Sequence, residues 1–384
     1  MALRLGLTSF GGPIAHLGYF ERTYVRDRKW LTSAEYAGLV ALCQSLPGPT
    51  SSQVGFLIGL RRAGWVGALA AWAGFTLPSA LLMYAFAVLV PTSPSPFVTA
   101  IVHGLMLTAV AVVAQAVWSM ARTLCPDWQR ATLACAATAV LLLFASPVLQ
   151  LAVLVGGAVG GLLLCRDATL PPADVGSPQP RIGGIALLSY CALLVAAATL
   201  ALLPPGSPVA LAGIFYRAGA LVFGGGHVVL PLLREELVPH GWLSDAHFLG
   251  GYGFAQAMPG PLFSIAAYLG AASAPAHLGL PWALIALAAI FLPGLLLAVG
   301  GASLLSVFTR ARGAAAALAG VNAAVVGILA AALYHPVWRG GVRTPLDGAI
   351  AVLGFALLQR WRGSALAVAA LCVVTSVAAQ ALSL

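Results

Sequence analysis

Long apolar runs separated by short polar connections make up most of the chain. Apolar runs in the first part cover about 65–90, 97–121, 131–147, 148–165 and 182–203. Each reaches or approaches the length of about 20 residues that a helix needs to cross the hydrocarbon core of a bilayer. With the runs that follow residue 209, this pattern predicts an all-α polytopic membrane protein with roughly 10–13 apolar segments.

Two further apolar runs, 39–60 and 248–272, are each interrupted by a proline-glycine-proline triplet. The triplets are Pro47-Gly48-Pro49 and Pro259-Gly260-Pro261. Proline removes a backbone donor and clashes with the preceding helical turn, so neither helix can continue through its triplet. Broken helix at membrane depth is tolerated only where it is buried in protein or lines a wet cavity. We therefore predict a site at these breaks.

The triplets belong to an internal duplication. The matched residues include Arg4 with Arg217, Gly6 with Gly219, Phe10-Gly11-Gly12 with Phe223-Gly224-Gly225, Trp30-Leu31 with Trp242-Leu243, Gln44 with Gln256, Ser52 with Ser264, and Leu77-Pro78 with Leu292-Pro293. A polar, proline-rich stretch at 166–181 separates the copies. We predict a first repeat at 1–165, a linker with one connecting transmembrane segment at 166–208, and a second repeat at 209–384.

The distribution of basic residues predicts that the two repeats have opposite orientations. The connection after the first FGG motif contains Arg22, Arg26, Arg28 and Lys29, whereas the matching connection at 234–242 is net acidic. The bias reverses at the next connection, since 91–96 is uncharged and its counterpart at 309–313 contains two arginines. This reversal indicates an inverted repeat. Arg339 and Arg343 are the exception, because this arrangement places them outside.

Composition narrows the class of protein. Of the 384 residues, 61% are hydrophobic and 8% are charged, against roughly a quarter charged in soluble domains. The net charge of +9 is scattered between apolar runs, which argues against nucleic-acid binding. The six cysteines show no CxxC spacing, so we expect packing roles and neither a disulfide nor a metal site. No paired carboxylates, Ser-His-Asp set or nucleotide-binding GxGxxG spacing occurs, and we predict neither an enzyme nor a cofactor.

The breaks suit an oxyanion. A helix that restarts after a break offers free backbone donors and a positive dipole end, and glycines in the FGG motifs can turn amides toward one point. The candidate substrate-binding residues are Gly11, Gly12, Gln44, Pro47, Gly48, Pro49, Thr50, Ser51, Ser52, Gly224, Gly225, Gln256, Pro259, Gly260, Pro261 and Ser264. The second half has Leu262 and Phe263 after its triplet, so we expect the main contacts on the first half. Close helix packing is the alternative explanation of the glycines.

Three residues are candidates for a proton or charge relay: Glu35, His227 and Arg217. Each has a structural alternative. Glu35 completes a capping box with Thr32, and His227, like His16 and His103, fits a packing histidine. Asn322 lies in an apolar helix, where an interhelical hydrogen bond is the structural alternative to a functional role.

The paired blocks LGLTSFGGPIAHLGYF with YAGLVALCQSLPGPTSSQ, and LVFGGGHVVLPLL with FAQAMPGPLFSIAAYLG, resemble the chromate transporter family in its long, two-domain form. The resemblance implies export of the chromate dianion from the cytoplasm across the bacterial inner membrane and chromate resistance. Family members usually have a helical lead before the FGG motif, and here nine residues precede Phe10, so we expect either a short first helix or a start that lacks part of the natural N-terminus.

The resemblance leaves several alternatives open. The chain could carry sulfate or a related oxyanion, or form a channel-like anion pore; a chromate-reducing membrane enzyme would need a haem, flavin or thiol pair. The expected partners are chromate, with sulfate as a competitor, and the lipid bilayer. The oligomeric state, including a homodimer, stays open.

Overall fold

The computed structural model describes residues 1–10, 12–89, 96–144, 147–166, 180–200, 203, 206–222, 229–275, 277–308, 313–360 and 364–382. Throughout these ranges the chain forms helices, turns and bends, and none of the described residues is in a strand. The prediction of an all-α protein is confirmed.

The first half contains α1 (Ala2–Thr8), α2 (Gly12–Phe20) continued by a π-helix (Glu21–Asp27), α3 (Ser33–Ser45), α4 (Thr50–Leu89), α5 (Pro96–Leu124), α6 (Trp128–Leu143) and α7 (Pro147–Leu164). The connecting helix is α8 (Pro180–Leu200). The second half contains α9 (Pro208–Leu221), α10 (Val229–Leu237), α11 (Asp245–Ala257), a 3₁₀ turn (Leu262–Ser264), α12 (Ile265–Ala272), α13 (Gly279–Phe308), α14 (Ala314–Ala332), a π-helix (Leu333–Trp338), α15 (Arg339–Gly341), α16 (Pro345–Gln359) and α17 (Ala365–Leu382).

Helix α4 is two arms joined by a sharp bend. Ala63 and Gly64 have non-helical backbone angles, and Gly64 has a φ of 62°. Gly59 and Gly67 lie so close that a Cβ on either would overlap the carbonyl of the other. Eight residues of straight helix would separate them by about 12 Å. The chain therefore reverses here, giving a first arm at 50–62 and a second arm at 65–89.

Each proline-glycine-proline triplet is the tip of a hairpin that returns to the side it entered. In the first half, Arg61 at the end of the first arm of α4 donates to Glu35 at the start of α3, at 2.8 Å. In the second half, the Tyr268 hydroxyl on α12 donates to the His247 carbonyl at the start of α11, at 3.0 Å. Since each contact joins the two bases of its hairpin, neither segment crosses the membrane.

Helices α9 and α10 form a second type of hairpin. α8 runs antiparallel to α13, because Gly183 meets Ser303 and the later residue Leu187 meets the earlier residue Gly300. α9 turns back along α8, with the Tyr190 hydroxyl donating to the Ala220 carbonyl at 3.1 Å, and so runs toward the hairpin tip. α10 then returns to the base of α11, where Arg234 binds Asp245 at 2.8 Å.

The longer helices outside the hairpins cross the membrane and account for the inverted orientation. The first half contributes the second arm of α4, α5, α6 and α7, and α8 adds a fifth crossing before the second half begins. An odd number of crossings places the second half upside down relative to the first. Five helices among the described residues are long and apolar enough to span by themselves: Thr50–Leu89, Pro96–Leu124, Pro180–Leu200, Gly279–Ser303 and Ala314–Gly341.

The two halves exchange packing partners. α5 of the first half packs on α16 and α17 of the second, where the Ser376 hydroxyl donates to the Ala100 carbonyl at 2.9 Å. In the reciprocal contact, α14 packs on α6 and α7, and the Thr138 hydroxyl donates to the Gly327 carbonyl at 3.2 Å. Each half therefore packs against helices of the other half.

Charge distinguishes the two sides of this arrangement. Eleven described basic residues lie at connections on the side of the first hairpin's base: Arg22, Arg26, Arg28, Lys29, Arg61, Arg62, Arg122, Arg130, Arg166, Arg181 and Arg360. Arg234, Arg339 and Arg343 lie on the opposite side. The positive-inside rule makes the first the cytoplasmic side, and the second is called the outer side below. Arg339 and Arg343 are the exception that the sequence predicted.

Candidate functional site

Each hairpin tip is bonded to the other half through one of two reciprocal backbone hydrogen bonds. The Gly48 amide donates to the Val222 carbonyl at 2.7 Å, and the Gly260 amide donates to the Ser9 carbonyl at 2.9 Å. Ser9 and Val222 are matched positions, since each directly precedes an FGG motif. Each tip is thus held by the other half, and the duplication extends to the hydrogen bonds at its centre.

Both tip glycines are required by the backbone. Gly48 has a φ of 118° and Gly260 a φ of 95°, values that side chains other than glycine rarely adopt. A Cβ on Gly48 would lie 2.8 Å from the Gly294 Cα, and one on Gly260 would lie 2.8 Å from the Ser79 hydroxyl oxygen. Gly294 and Ser79 follow the matched residues Pro293 and Pro78, so these contacts are reciprocal as well.

The first tip opens into the N-terminus of α4. Thr50, Ser51 and Ser52 form the first turn and are 8%, 3% and 1% exposed. Amides in a first helical turn have no acceptor within their own helix, and the positive end of the helix dipole favours a negative charge there. This turn can therefore offer both backbone amides and hydroxyls to an anion.

Further polar groups surround this turn. His16 on α2 is 1% exposed, and its Nδ1 lies 3.4 Å from the Ser51 hydroxyl. Buried hydroxyl oxygens of Ser9, Ser52 and Thr76 have no hydrogen-bond partner among the described residues. Thr76 follows Phe75, whose ring meets the His16 ring edge-on at 5.4 Å between centroids. Buried polar groups are normally paired, so three unpaired hydroxyls in one region point to a ligand or a second conformation.

Gln53 braces the first tip. Its side-chain nitrogen donates to the Pro47 carbonyl at 2.8 Å and to the Gly294 carbonyl at 2.9 Å, and the side chain is fully buried. One amide group therefore fixes the tip of the first hairpin to α13 of the second half.

The second tip has the same backbone turn and different chemistry. After Pro261 the chain forms a 3₁₀ turn, in which Leu262 and Phe263 stand where the first half has Thr50 and Ser51. Ser264 is buried and is the polar residue of this turn. The predicted inequality of the two half-sites therefore has a structural counterpart.

Charged side chains in the described part of the chain lie away from the tips. Among the arginines, lysines, aspartates and glutamates described, Arg234 and Asp347 are the buried ones, and both lie on the outer side. An anion bound at the first tip would thus be held by dipoles and hydroxyls, without a formal counter-charge.

The structure brings together only part of the predicted set. The triplets, Thr50, Ser51 and Ser52 surround the first tip, and Ser264 lies at the second. Gly12 has the positive φ expected of it, 78°. Gln44 is exposed on α3 and Gln256 is half-buried. The predictions for Gly11, Gly224, Gly225 and His227 fall outside the described residues.

Two of the three relay candidates, Glu35 and Arg217, have structural partners. The Thr32 amide donates to Glu35 at 2.8 Å, and the Thr32 hydroxyl accepts from the Glu35 amide at 3.2 Å, which confirms the predicted capping box. These bonds and Arg61 lower the pKa of Glu35 below its usual value. Glu35 lies at the hairpin base, about 20 Å of helix from the tip. Arg217 pairs with Glu236 at 2.6 Å.

His103 and Asn322 differ in whether their polar side-chain atoms have a partner. His103 Nε2 lies 2.9 Å from Asp347, so this histidine joins α5 to α16. The Asn322 side-chain oxygen is buried without a hydrogen-bond partner among the described residues. α14 is held to its neighbours there by close small-residue contacts, such as Gly320 on Gly157.

Sequence reasoning missed Ser9, Gln53, Thr76 and Ser79. All four are adjacent to matched motifs: Ser9 precedes FGG, Gln53 follows Ser52, and Thr76 and Ser79 flank Leu77-Pro78. The polar residues next to a repeated helix break were therefore the available signal.

Comparison with known proteins agrees with this architecture. The family described as chromate transporter matches residues 1–162 and 209–378. The chain is 30% identical over 300 residues to a probable chromate transport protein of Synechococcus elongatus, covering 77% of this chain and 73% of that protein. It is 27% identical over 378 residues to the chromate transport proteins of Pseudomonas aeruginosa and of Cupriavidus metallidurans, covering in each case 94% of this chain and 86% of the relative. No solved structure matches the chain significantly.

Proposed function

The chain belongs to the chromate transporter family, and from that premise we propose that it exports the chromate dianion from the cytoplasm across the bacterial inner membrane. Chromate resistance would follow from the export. The relatives named as chromate transport proteins support the substrate, and the multi-pass helical fold supports a membrane carrier.

The observation that carries the proposal is the chemistry of the first tip. A helix N-terminus with three buried hydroxyl residues opens at the contact between two inverted halves. Inverted-repeat transporters bind substrate at such broken helices. We propose that chromate oxygens accept hydrogen bonds from the first-turn amides of α4 and from Thr50, Ser51 and Ser52. The absence of a carboxylate near this tip in the described residues avoids repulsion of the dianion.

The membrane potential supplies the driving force in this proposal. Moving one charge across 100 mV is worth roughly 2.3 kcal/mol, so a dianion leaving a negative interior gains about 4.6 kcal/mol. Export then needs no obligatory proton coupling. The hairpins suit alternating access, because few hydrogen bonds in the described part of the chain hold the tips to the opposite halves: the backbone bonds of Gly48 and Gly260 and the side-chain bond of Gln53.

Labelled chromate flux into everted vesicles tests the function. A potassium gradient with valinomycin makes the lumen positive, which corresponds to the outside of the cell, and no pH gradient is imposed. We expect potential-dependent, saturable uptake that excess sulfate inhibits weakly. Strong inhibition by sulfate would identify a sulfate-type carrier, non-saturable flux a pore, and no flux without a pH gradient would refute the potential-driven mechanism.

The double variant Ser51→Ala with Ser52→Ala tests the placement of the site. We expect a rise in the KM for chromate of about tenfold or more, because each hydrogen bond to a charged group contributes about 1.5–3 kcal/mol. Ser264→Ala is the matched control in the second half and is expected to change KM far less. Equal effects of the two variants, or no effect of the first, would contradict the placement.

A further inference from the structure

A separate cavity of ≈ 200 Å³ lies on the outer side of the protein. It is formed by the end of α6 and the start of α7 from the first half, and by α10, α14 and the second π-helix from the other half. Its polar lining consists of Gln150, Glu235, His335 and Arg339, and its apolar lining includes Leu142. It shares no lining residue with the hairpin tips.

Gln150 is the strongest indication that this cavity holds a ligand. The side chain is 7% exposed, and among the described residues it forms no hydrogen bond. The side-chain amide carries two donors and an acceptor. It can therefore bind a partner that has both hydrogen-bond donors and acceptors.

The cavity presents one positive and one negative group. Glu235 lies 3.7 Å from Arg234, but Arg234 forms two shorter bonds with Asp245, at 2.8 and 3.0 Å. The Glu235 carboxylate is thus free to accept further hydrogen bonds. The Arg339 guanidinium lies over the Tyr334 ring at 5.8 Å, an arrangement that leaves its N–H groups available. Glu235 would repel a dianion, whereas a zwitterion can pair with both charges.

The position of the cavity indicates where such a zwitterion would come from. Tyr334 and Leu142 line the cavity and are 52% and 47% exposed, and aromatic residues with arginine are typical of the membrane interface. His335 departs from helical geometry within the π-helix, with φ −134° and ψ 114°. The cavity thus meets the lipid at headgroup level.

We propose that this cavity binds the headgroup of a phosphoethanolamine lipid from the outer leaflet. The phosphate accepts hydrogen bonds from Arg339 and His335, and the ammonium donates to Glu235 and to the Gln150 side-chain oxygen. The volume equals that of about seven liquid water molecules, which accommodates phosphoethanolamine. The lipid would join α10, an arm of the hairpin that carries the second FGG motif, to helices of the first half.

Native mass spectrometry of the full chain, stripped of lipid in detergent, tests this proposal. The probes are phosphatidylethanolamine, phosphatidylcholine and phosphatidylglycerol with identical acyl chains. We expect the ethanolamine lipid to be retained about tenfold better than the other two, because choline cannot donate to Glu235 and glycerol brings no cation. Equal retention of the three lipids would overturn the proposal without any variant.

Two variants sharpen the test. Glu235→Gln is expected to remove the preference for ethanolamine over choline, and Arg339→Gln to weaken retention of all three lipids. Arg360→Gln, an exposed position on the cytoplasmic side, is the control and is expected to change nothing. Soluble glycerophosphoethanolamine and inorganic phosphate separate a headgroup site from a phosphate site: competition by both equally would reduce the site to a phosphate site and overturn the ethanolamine assignment. Because retention is measured without flux, the result does not depend on the proposed transport.

Discussion

The first and second hairpin tips share a backbone and differ in almost every side chain around it. Both have a glycine with positive φ, an amide donated to the other half, and a close contact behind a matched proline. The first continues into three hydroxyl residues, and the second into Leu262 and Phe263. The geometry is common to both repeats, whereas the chemistry that suits an anion belongs to one.

This difference separates two roles that a repeated motif can have. The turn is needed in both halves because each tip donates a backbone hydrogen bond to the opposite half. A binding surface is needed only once, and two equivalent polar tips would place additional unpaired groups in an apolar core. Substitutions that alter the backbone should therefore affect the halves alike, and substitutions of side chains should affect them unequally.

Gly48→Ala is expected to have the largest effect. The positive φ alone costs about 1–3 kcal/mol, and the new Cβ would overlap the Gly294 Cα, which belongs to the backbone and has no side chain to move. We expect loss of chromate flux and a lower thermal unfolding temperature in detergent. Wild-type flux and stability would show that the tips do not need this turn.

Gly260→Ala is expected to be nearly as severe, but part of its effect can be reversed. Its Cβ would meet the Ser79 hydroxyl, so Ser79→Gly should recover some stability in the double variant. The remaining deficit is the strain of the positive φ. A matching rescue is unavailable to Gly48→Ala because its contact is already a glycine. If Ser79→Gly gave no recovery, the reciprocal packing of the tips would be contradicted.

Gln53→Leu should have an intermediate effect confined to the first half. It removes the donor to two buried carbonyls, at a cost of about 1–3 kcal/mol for each unpaired group. The matched residue is Ile265, which is buried and apolar, and Ile265→Val serves as the control with an expected cost of about 0.5–1.5 kcal/mol. Thermal unfolding of both variants measures the difference, and equal shifts would argue against the brace.

Glu35→Gln should have the smallest effect. Glu35 caps α3 and pairs with Arg61 at the hairpin base, so chromate flux should stay unchanged at neutral pH, as it should in Arg61→Gln. Because the pKa of Glu35 is lowered in the fold, its contribution to stability is present above the unfolded pKa of about 4.3 and is lost as pH falls through the folded value. A loss of flux at pH 7 would instead support a relay role.

Much of the fold could be predicted from the sequence because the matched positions of the two repeats include prolines and glycines, which interrupt helices. Paired prolines and glycines gave both breaks, and the alternation of charged connections gave the inverted orientation. The return of each hairpin to its entry side could not be predicted, because it depends on contacts across the hairpin base, such as that of Arg61 with Glu35 at opposite ends of the apolar run 39–60. The exchange of α5 and α14 between halves is likewise a tertiary property with no local signal.

The site was predicted in its backbone and its first-turn hydroxyls. Gln44 was included because it is repeated, yet its match Gln256 is only half-buried and Gln44 itself is exposed. Gln53 was left out of the candidate set, and its fully buried side chain joins the first tip to α13. Residues that occur in both repeats support the backbone geometry that the two halves share. A residue that acts at one tip only, such as Gln53, is therefore not found by comparing the repeats.

The reciprocal bonds of Gly48 with Val222 and of Gly260 with Ser9 also bear on how such a chain could have arisen. A single repeat carries a tip whose amide finds its acceptor only on another repeat, inserted the other way up. A protein with one repeat could satisfy both tip amides only as an antiparallel dimer of identical chains. Its chains would have to insert into the membrane in both orientations. Joining two copies through one additional helix, α8, fixes that pairing and lets the two tips diverge, since each orientation is then occupied by its own sequence.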